Sequence, residues 1–294
     1  MKFAFYPGCA SKGACPELYQ STQLVVQKLG IELVELHDAA CCGAGVIGEA
    51  DPDLAFAINA RTFSMAEELG LDILTICGTC QGVLGSANRQ LKDDDELLAR
   101  INGMLNKEEI RPYQGRIEVR HLLWIIVRNY GLEELKKLIK VRLNGLKVAP
   151  FYGCYILRPS QMLGFDDAEN PTSLEDLIWA LGGEPVEYSG RTKCCGFPIV
   201  LEKEEIATAM VGSHTYEAKQ KGSDCMVTPC PLCHMNLDIY QERAEERIGA
   251  DIDLPILHLP QLIGLAMGFE PKALGLSHHL VATGKLTDKI SLKR

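Results

Sequence analysis

Two adjacent-cysteine triplets, Cys41-Cys42-Gly43 and Cys194-Cys195-Gly196, do most to constrain how this chain can fold. They stand 153 residues apart, and so do Cys77 with Cys230 and Cys80 with Cys233, the members of two Cys-x2-Cys pairs. In both places 34 residues separate the doublet from the pair. A fifth cysteine leads each set: Cys9, 31 residues before its doublet, and Cys154, 39 before its own. Both follow a tyrosine-bounded turn, Tyr6-Pro7-Gly8 and Tyr152-Gly153. Equal periods that carry the same chemistry describe an internal duplication. The expected division is 1–145 and 146–294.

The segments between the cysteines alternate in type. Residues 3–8 are a short apolar run broken by Pro7-Gly8, which reads as a strand. Apolar residues then recur at helical spacing through Leu18, Val25, Val26 and Leu29, with Gly30 as a stop. A strand over 31–36, a helix over 52–69 and a strand over 71–76 follow, and Cys77-Gly78-Thr79-Cys80 opens another helix. The run at 71–76 is continuously apolar, as in a parallel sheet. A charged helix over 93–110, with Asp93 to Glu96 as its solvated start, a strand at 116–120 and helical segments to 139 complete the first copy. The second repeats the plan, with strands at 146–152, 185–188, 226–228 and 254–257. Residues 275–294 have no counterpart and are expected to form a tail or a lid. The fold class predicted is α/β: two tandem, internally duplicated domains, each a small parallel sheet flanked by helices. Every cysteine of the two sets follows a strand, and ligands of an open parallel sheet gather at the carboxyl edge of its strands. Five thiols should therefore converge in each copy.

The chain has 12 cysteines and no expected leader, so a reducing, cytoplasmic setting is predicted and a disulfide framework is a poor default. The net charge of -9 argues against nucleic acid or an anionic membrane surface as partner. No apolar run approaches the roughly 18 residues of a membrane span. The Cys-x2-Cys pairs open helices, whose amides and dipole favour thiolates. Structural zinc takes four ligands. Five thiols per set exceed that number, and two adjacent cysteines cannot both bind one tetrahedral ion without strain. An iron–sulfur centre in each copy is predicted over zinc or a purely structural thiol set. Cys15 and Cys225 have no counterparts and read as small buried hydrophobes.

This pattern resembles the cysteine-rich CCG family, and a stand-alone chain with two such domains is similar to the B subunits of the methanogen CoB–CoM heterodisulfide reductases. The resemblance implies two noncubane [4Fe–4S] clusters, one on Cys9, Cys41, Cys42, Cys77 and Cys80, the other on Cys154, Cys194, Cys195, Cys230 and Cys233. The implied reaction is reduction of the anionic disulfide CoM-S-S-CoB to two thiols, each cluster passing one electron. The chain itself has no dinucleotide fingerprint, Walker A sequence or ferredoxin run. The implied partners are therefore the other subunits of such a reductase, one a ferredoxin-like iron–sulfur protein and one containing flavin, with a hydrogenase or formate dehydrogenase behind them. The sulfonate and phosphate of that substrate make Lys12, Arg158, Arg191 and Lys193 candidate anion contacts, weighed against solvated surface charges. His121 and His258, in matching places after the fourth strands, are candidate proton donors, weighed against core or helix-capping histidines. His234 follows a ligand, but its counterpart is Gln81. His278-His279 is expected at the surface. Two rivals stand beside this reading: a CCG electron-transfer subunit of a glycolate, lactate, glycerol-3-phosphate or succinate-type oxidoreductase, and a zinc-binding interaction module.

Overall fold

The computed structural model describes residues 1–44 and 46–291. It contains two four-stranded, all-parallel sheets. The first is built from β1 (Lys2–Tyr6), β2 (Glu32–Glu35), β3 (Ile73–Thr75) and β4 (Val119–His121), in the order β2-β1-β3-β4. The second uses β5 (Lys147–Pro150), β6 (Glu184–Pro185), β7 (Cys225–Thr228) and β8 (Ile256–His258), in the order β6-β5-β7-β8. The registers repeat as well. Ala4 lies opposite Ile73 as Ala149 lies opposite Met226, and Thr75 faces His121 as Thr228 faces His258. The expected duplicated α/β architecture is what the chain forms. Winding reverses between β1 and β3, and again between β5 and β7, which opens a crevice at the carboxyl edge of each sheet.

The elements differ from expectation at their ends. Residues 116–118 lie outside β4 because side chains take their amides: Arg116 N–H donates to Glu67 Oε1 at 2.7 Å and Glu118 N–H to Asp72 Oδ1 at 2.9 Å. His121 and His258 consequently close their strands instead of following them. At the sheet edge, β6 shrinks to two residues, and Tyr188 turns its hydroxyl to the Pro150 carbonyl at 3.0 Å. The helical stretch after β4 is interrupted by a π-helical turn, Ile125–Gly131.

Both halves contribute to a common core. Phe5, Leu74, Ile125, Val148, Leu257 and Leu262 belong to one buried apolar cluster. The segment after 275 packs on the second domain as a strap. Its helix Gly284–Ser291 buries Leu286 and Ile290, and Lys285 and Lys289 each pair at 2.6 Å with Asp253 and Asp224. The last three residues of the expected tail lie outside the described residues. No helix among the described residues is long and apolar enough to cross a membrane.

Candidate metal centres

Each set of five cysteines is assembled at one sheet edge. β1 ends in Pro7-Gly8, and Gly8 adopts a φ of 79°, which turns the chain so that Cys9 opens the short helix Cys9–Gly13. The counterpart Gly153 has a φ of 72°. These glycines are required by more than backbone angle: a Cβ on Gly8 would sit 3.1 Å from Cys80 Sγ, and one on Gly153 would sit 2.9 Å from Cys233 Sγ. The last cysteine of each set packs against the backbone that presents the first. Cys77 and Cys230 are N-caps of the helices Gly78–Asp93 and Pro231–Ile239, and the Cys80 amide donates to Cys77 Sγ at 3.4 Å. The doublet loops are pinned at their carbonyls. Tyr6 donates to Ala40 O at 2.8 Å, Asn59 to Cys42 O at 3.3 Å, and Asn236 to Cys195 O at 2.6 Å.

The adjacent thiols touch each other, and each also reaches a different third cysteine. Cys41 Sγ lies 3.7 Å from Cys9 Sγ, while Cys42 Sγ lies 3.7 Å from Cys80 Sγ. In the second set Cys194 bonds to Cys154 and Cys195 to Cys233. Cys41 is exposed and Cys42 buried. Two neighbours that reach opposite partners do not suit one tetrahedral ion. They do suit several metal atoms held in one cluster, so the residues present fit an iron–sulfur group. Thiols this close share protons: Cys42 is pushed down to about 4 by hydrogen bonds from Cys41 and then Cys80, and Cys194 is drawn far below the thiol range by Cys154 and Cys195. Each set thus favours a thiolate. The two sets also meet. Cys77 Sγ and Cys230 Sγ are 4.0 Å apart, Thr79 Oγ1 is 3.4 Å from Cys230 Sγ, and the Gly78 amide donates to Pro229 O at 3.0 Å.

The other candidate residues are engaged elsewhere. Lys12 pairs with Glu35, and Arg191 with Glu175. Arg158 pairs with Glu169 at 2.9 Å and also donates to Thr192 O and Ala168 O. Lys193 lies close enough to His214 and Glu217 to bias both electrostatically. His121 is buried. Its Nδ1 accepts from the Leu123 amide at 3.0 Å, so its Nε2 donates to Pro229 O at 2.9 Å, across the junction of the two halves. Burial pushes it down to about 4. His258 instead directs Nε2 to Glu17 Oε1, at 3.0 Å.

Two features escaped the sequence reading. One is an apolar cavity of about 430 Å³ against the second set. Cys154, Cys195 and Cys233 share its lining with Phe197, Val200, Leu201, Leu232, Met235 and Ile239. Asn236 lines it too, and its Oδ1 is buried with no hydrogen-bond partner among the described residues. Over the first set lies only a cavity of about 120 Å³, lined by Cys9 and Cys41 with Lys12, Glu35 and His37. The other feature is a pair of buried histidines, His234 and His258, around Glu17, with His279 half-buried against them and His278 exposed.

The cysteine-rich domain family CCG matches residues 3–85 and 148–238. Among curated proteins, the chain is 42% identical to the 8-methylmenaquinol:fumarate reductase membrane anchor subunit of Wolinella succinogenes, over 97% of this chain and 99% of that one. It is 35% identical to the B subunit of the ferredoxin/F420H2-dependent CoB–CoM heterodisulfide reductase of Methanosarcina acetivorans, over 98% and 97%. A hypothetical protein from Helicobacter pylori shares the fold, with a TM-score of 0.74 at 16% identity, over 96% of this chain and 52% of that one.

Proposed function

Since the chain belongs to the cysteine-rich CCG family and shares nearly its whole length with the B subunit of a CoB–CoM heterodisulfide reductase, we propose that it is the cluster-bearing subunit of an oxidoreductase complex and exchanges electrons with an apolar two-electron carrier of the quinol class. Cys9, Cys41, Cys42, Cys77 and Cys80 would hold one noncubane [4Fe–4S] cluster, and Cys154, Cys194, Cys195, Cys230 and Cys233 the second. Such clusters supply one-electron transfer at potentials set by their surroundings. The apolar cavity beside Cys154, Cys195 and Cys233 carries the reading. Phe197, Leu232 and Met235 would sandwich a ring and exclude water, and Asn236 Oδ1 would accept the hydrogen bond of a quinol hydroxyl. The exposed apolar residues at its rim, Val46, Leu201 and Ile239, would rest on a lipid surface. The similarity to a fumarate reductase membrane anchor supports this placement. Electrons would pass onward to a partner iron–sulfur or flavin protein, on the cytoplasmic side, where twelve thiols stay reduced.

A second reading, reduction of CoM-S-S-CoB, is favoured by the meeting of two like cysteine sets at Cys77 and Cys230. Two centres would then face one S–S bond. Lys12, in the small cavity over Cys9 and Cys41, is placed to meet an anion there, in competition with Glu35. The test uses the anaerobically purified complex, offered either a short-chain naphthoquinol with a soluble one-electron acceptor or CoM-S-S-CoB with reduced viologen as donor. Oxidation of the naphthoquinol is expected, with a KM raised about tenfold in Asn236→Leu, as for loss of one buried hydrogen bond to the quinol hydroxyl. Turnover of the disulfide alone would overturn the quinol reading in favour of the second. Iron and sulfide near eight each per chain are expected, and zinc in their place would remove both.

A further inference from the structure

Glu17 is a carboxylate sealed inside the protein. Only 4% of it is exposed, and no lysine or arginine among the described residues is paired with it. Its neighbours are Cys15, 1% exposed, and two imidazoles: His258 Nε2 at 3.0 Å and His234 Nε2 at 3.9 Å from Glu17 Oε1. One ligand atom each from Cys15, Glu17 and His258 lies within 4.8 Å of the others. His279 closes the group from the strap, its ring 4.8 Å from that of His234.

An isolated buried carboxylate costs several kcal/mol unless a positive charge meets it. From this geometry we propose that Cys15, Glu17 and His258 form a mononuclear site for a divalent transition metal, zinc being the ion that fits, separate from the two cysteine sets. One thiolate and one carboxylate balance the ion's two charges, and the His258 imidazole completes three protein ligands, which leaves the fourth tetrahedral position open. A set of sulfur, oxygen and nitrogen donors selects zinc-like ions over magnesium or calcium. Tetrahedral zinc ligands stand about 3.5 Å apart, given bonds of about 2.0–2.3 Å. The ligand atoms of Cys15, Glu17 and His258 all lie within 4.8 Å of one another, with His258 Nε2 and Glu17 Oε1 at 3.0 Å, so small side-chain shifts would reach that spacing.

The duplication does not demand these residues. At the position that matches His234 the other side carries Gln81. His121, the counterpart of His258, is spent on backbone. The site occurs once, and it ties the start of the helix Pro16–Lys28 in the first half to β8 in the second.

The experiment measures zinc, iron and sulfide together in the anaerobically purified holoprotein. About one zinc per chain is expected beside a full iron complement. Cys15→Ala and Glu17→Gln should each lower zinc at least tenfold and leave iron and sulfide unchanged. Zinc below a tenth per chain at full iron would overturn the site, as would zinc that survives both substitutions. Zinc X-ray absorption on the unaltered protein decides the matter if the variants fail to fold. One sulfur near 2.3 Å with nitrogen and oxygen neighbours supports the site, and a four-sulfur shell, which would place zinc in a cysteine set, overturns it.

Discussion

Gly153 leaves no space between the backbone and Cys233 Sγ, so a methyl group there strikes the sulfur at 2.9 Å in a backbone region that disfavours side chains. Gly153→Ala is expected to cost about 1–3 kcal/mol of strain and to empty the second set while sparing the first. Iron per chain should fall to about half, with sulfide in parallel. His121 gives a second residue-scale prediction. Its folded-state value of about 4 lies below the ordinary histidine value of about 6.5. Between those values the unfolded chain binds more protons than the folded one. Stability from this group is complete above pH 6.5 and is lost as pH falls toward 4, by up to about 3 kcal/mol. Thermal midpoints of the holoprotein at pH 7.5 and pH 5 should show the drop, and His121→Asn should flatten it. Both nitrogens of His121 bond to backbone, so it holds the junction of the halves together.

Among the elements, the helix Gly78–Asp93 packs tightly against the other half. A Cβ on its Gly82 would lie 2.5 Å from the Tyr155 carbonyl and 2.9 Å from its ring. Gly82→Ala is expected to destabilise by about 1–3 kcal/mol through overpacking. Gly103, in the helix Asp95–Lys107 with open space around it, should gain about 0.4–1 kcal/mol on the same change. Calorimetry of the two variants checks both signs. At this scale the sequence was most legible where spacing and period carried the signal. The identical 34-residue interval announced matching β–α units, and the Cys-x2-Cys pairs do cap helices. It was least legible where a distant partner decides. Glu35, Glu169 and Glu175, which neutralise Lys12, Arg158 and Arg191, lie 11 to 23 residues away with no periodic relation to them. The cavity draws its walls from Ala44 to Tyr240, and each segment is unremarkable alone. Nothing local in 275–283 marks His279 as packed against His234.

For the whole molecule, the two sheet edges are alike in topology and unlike in what they offer. One opens on a small polar cavity and the other on an apolar one of about 430 Å³ with Leu201 and Val46, 96% and 73% exposed, at its mouth. Moving such side chains from water into lipid is worth about 1.5–3 kcal/mol each. The double variant Leu201→Asp, Val46→Asp should therefore lower co-sedimentation of the complex with phospholipid vesicles more than tenfold, at unchanged iron content. The shared core has a consequence for any attempt to divide the chain. Phe5, Leu74 and Ile125 of the first half share one buried cluster with Val148, Leu257 and Leu262 of the second, so either half made alone would carry an uncovered apolar face. A cut between the halves would also part pairs that span the junction, such as Glu17 and His258.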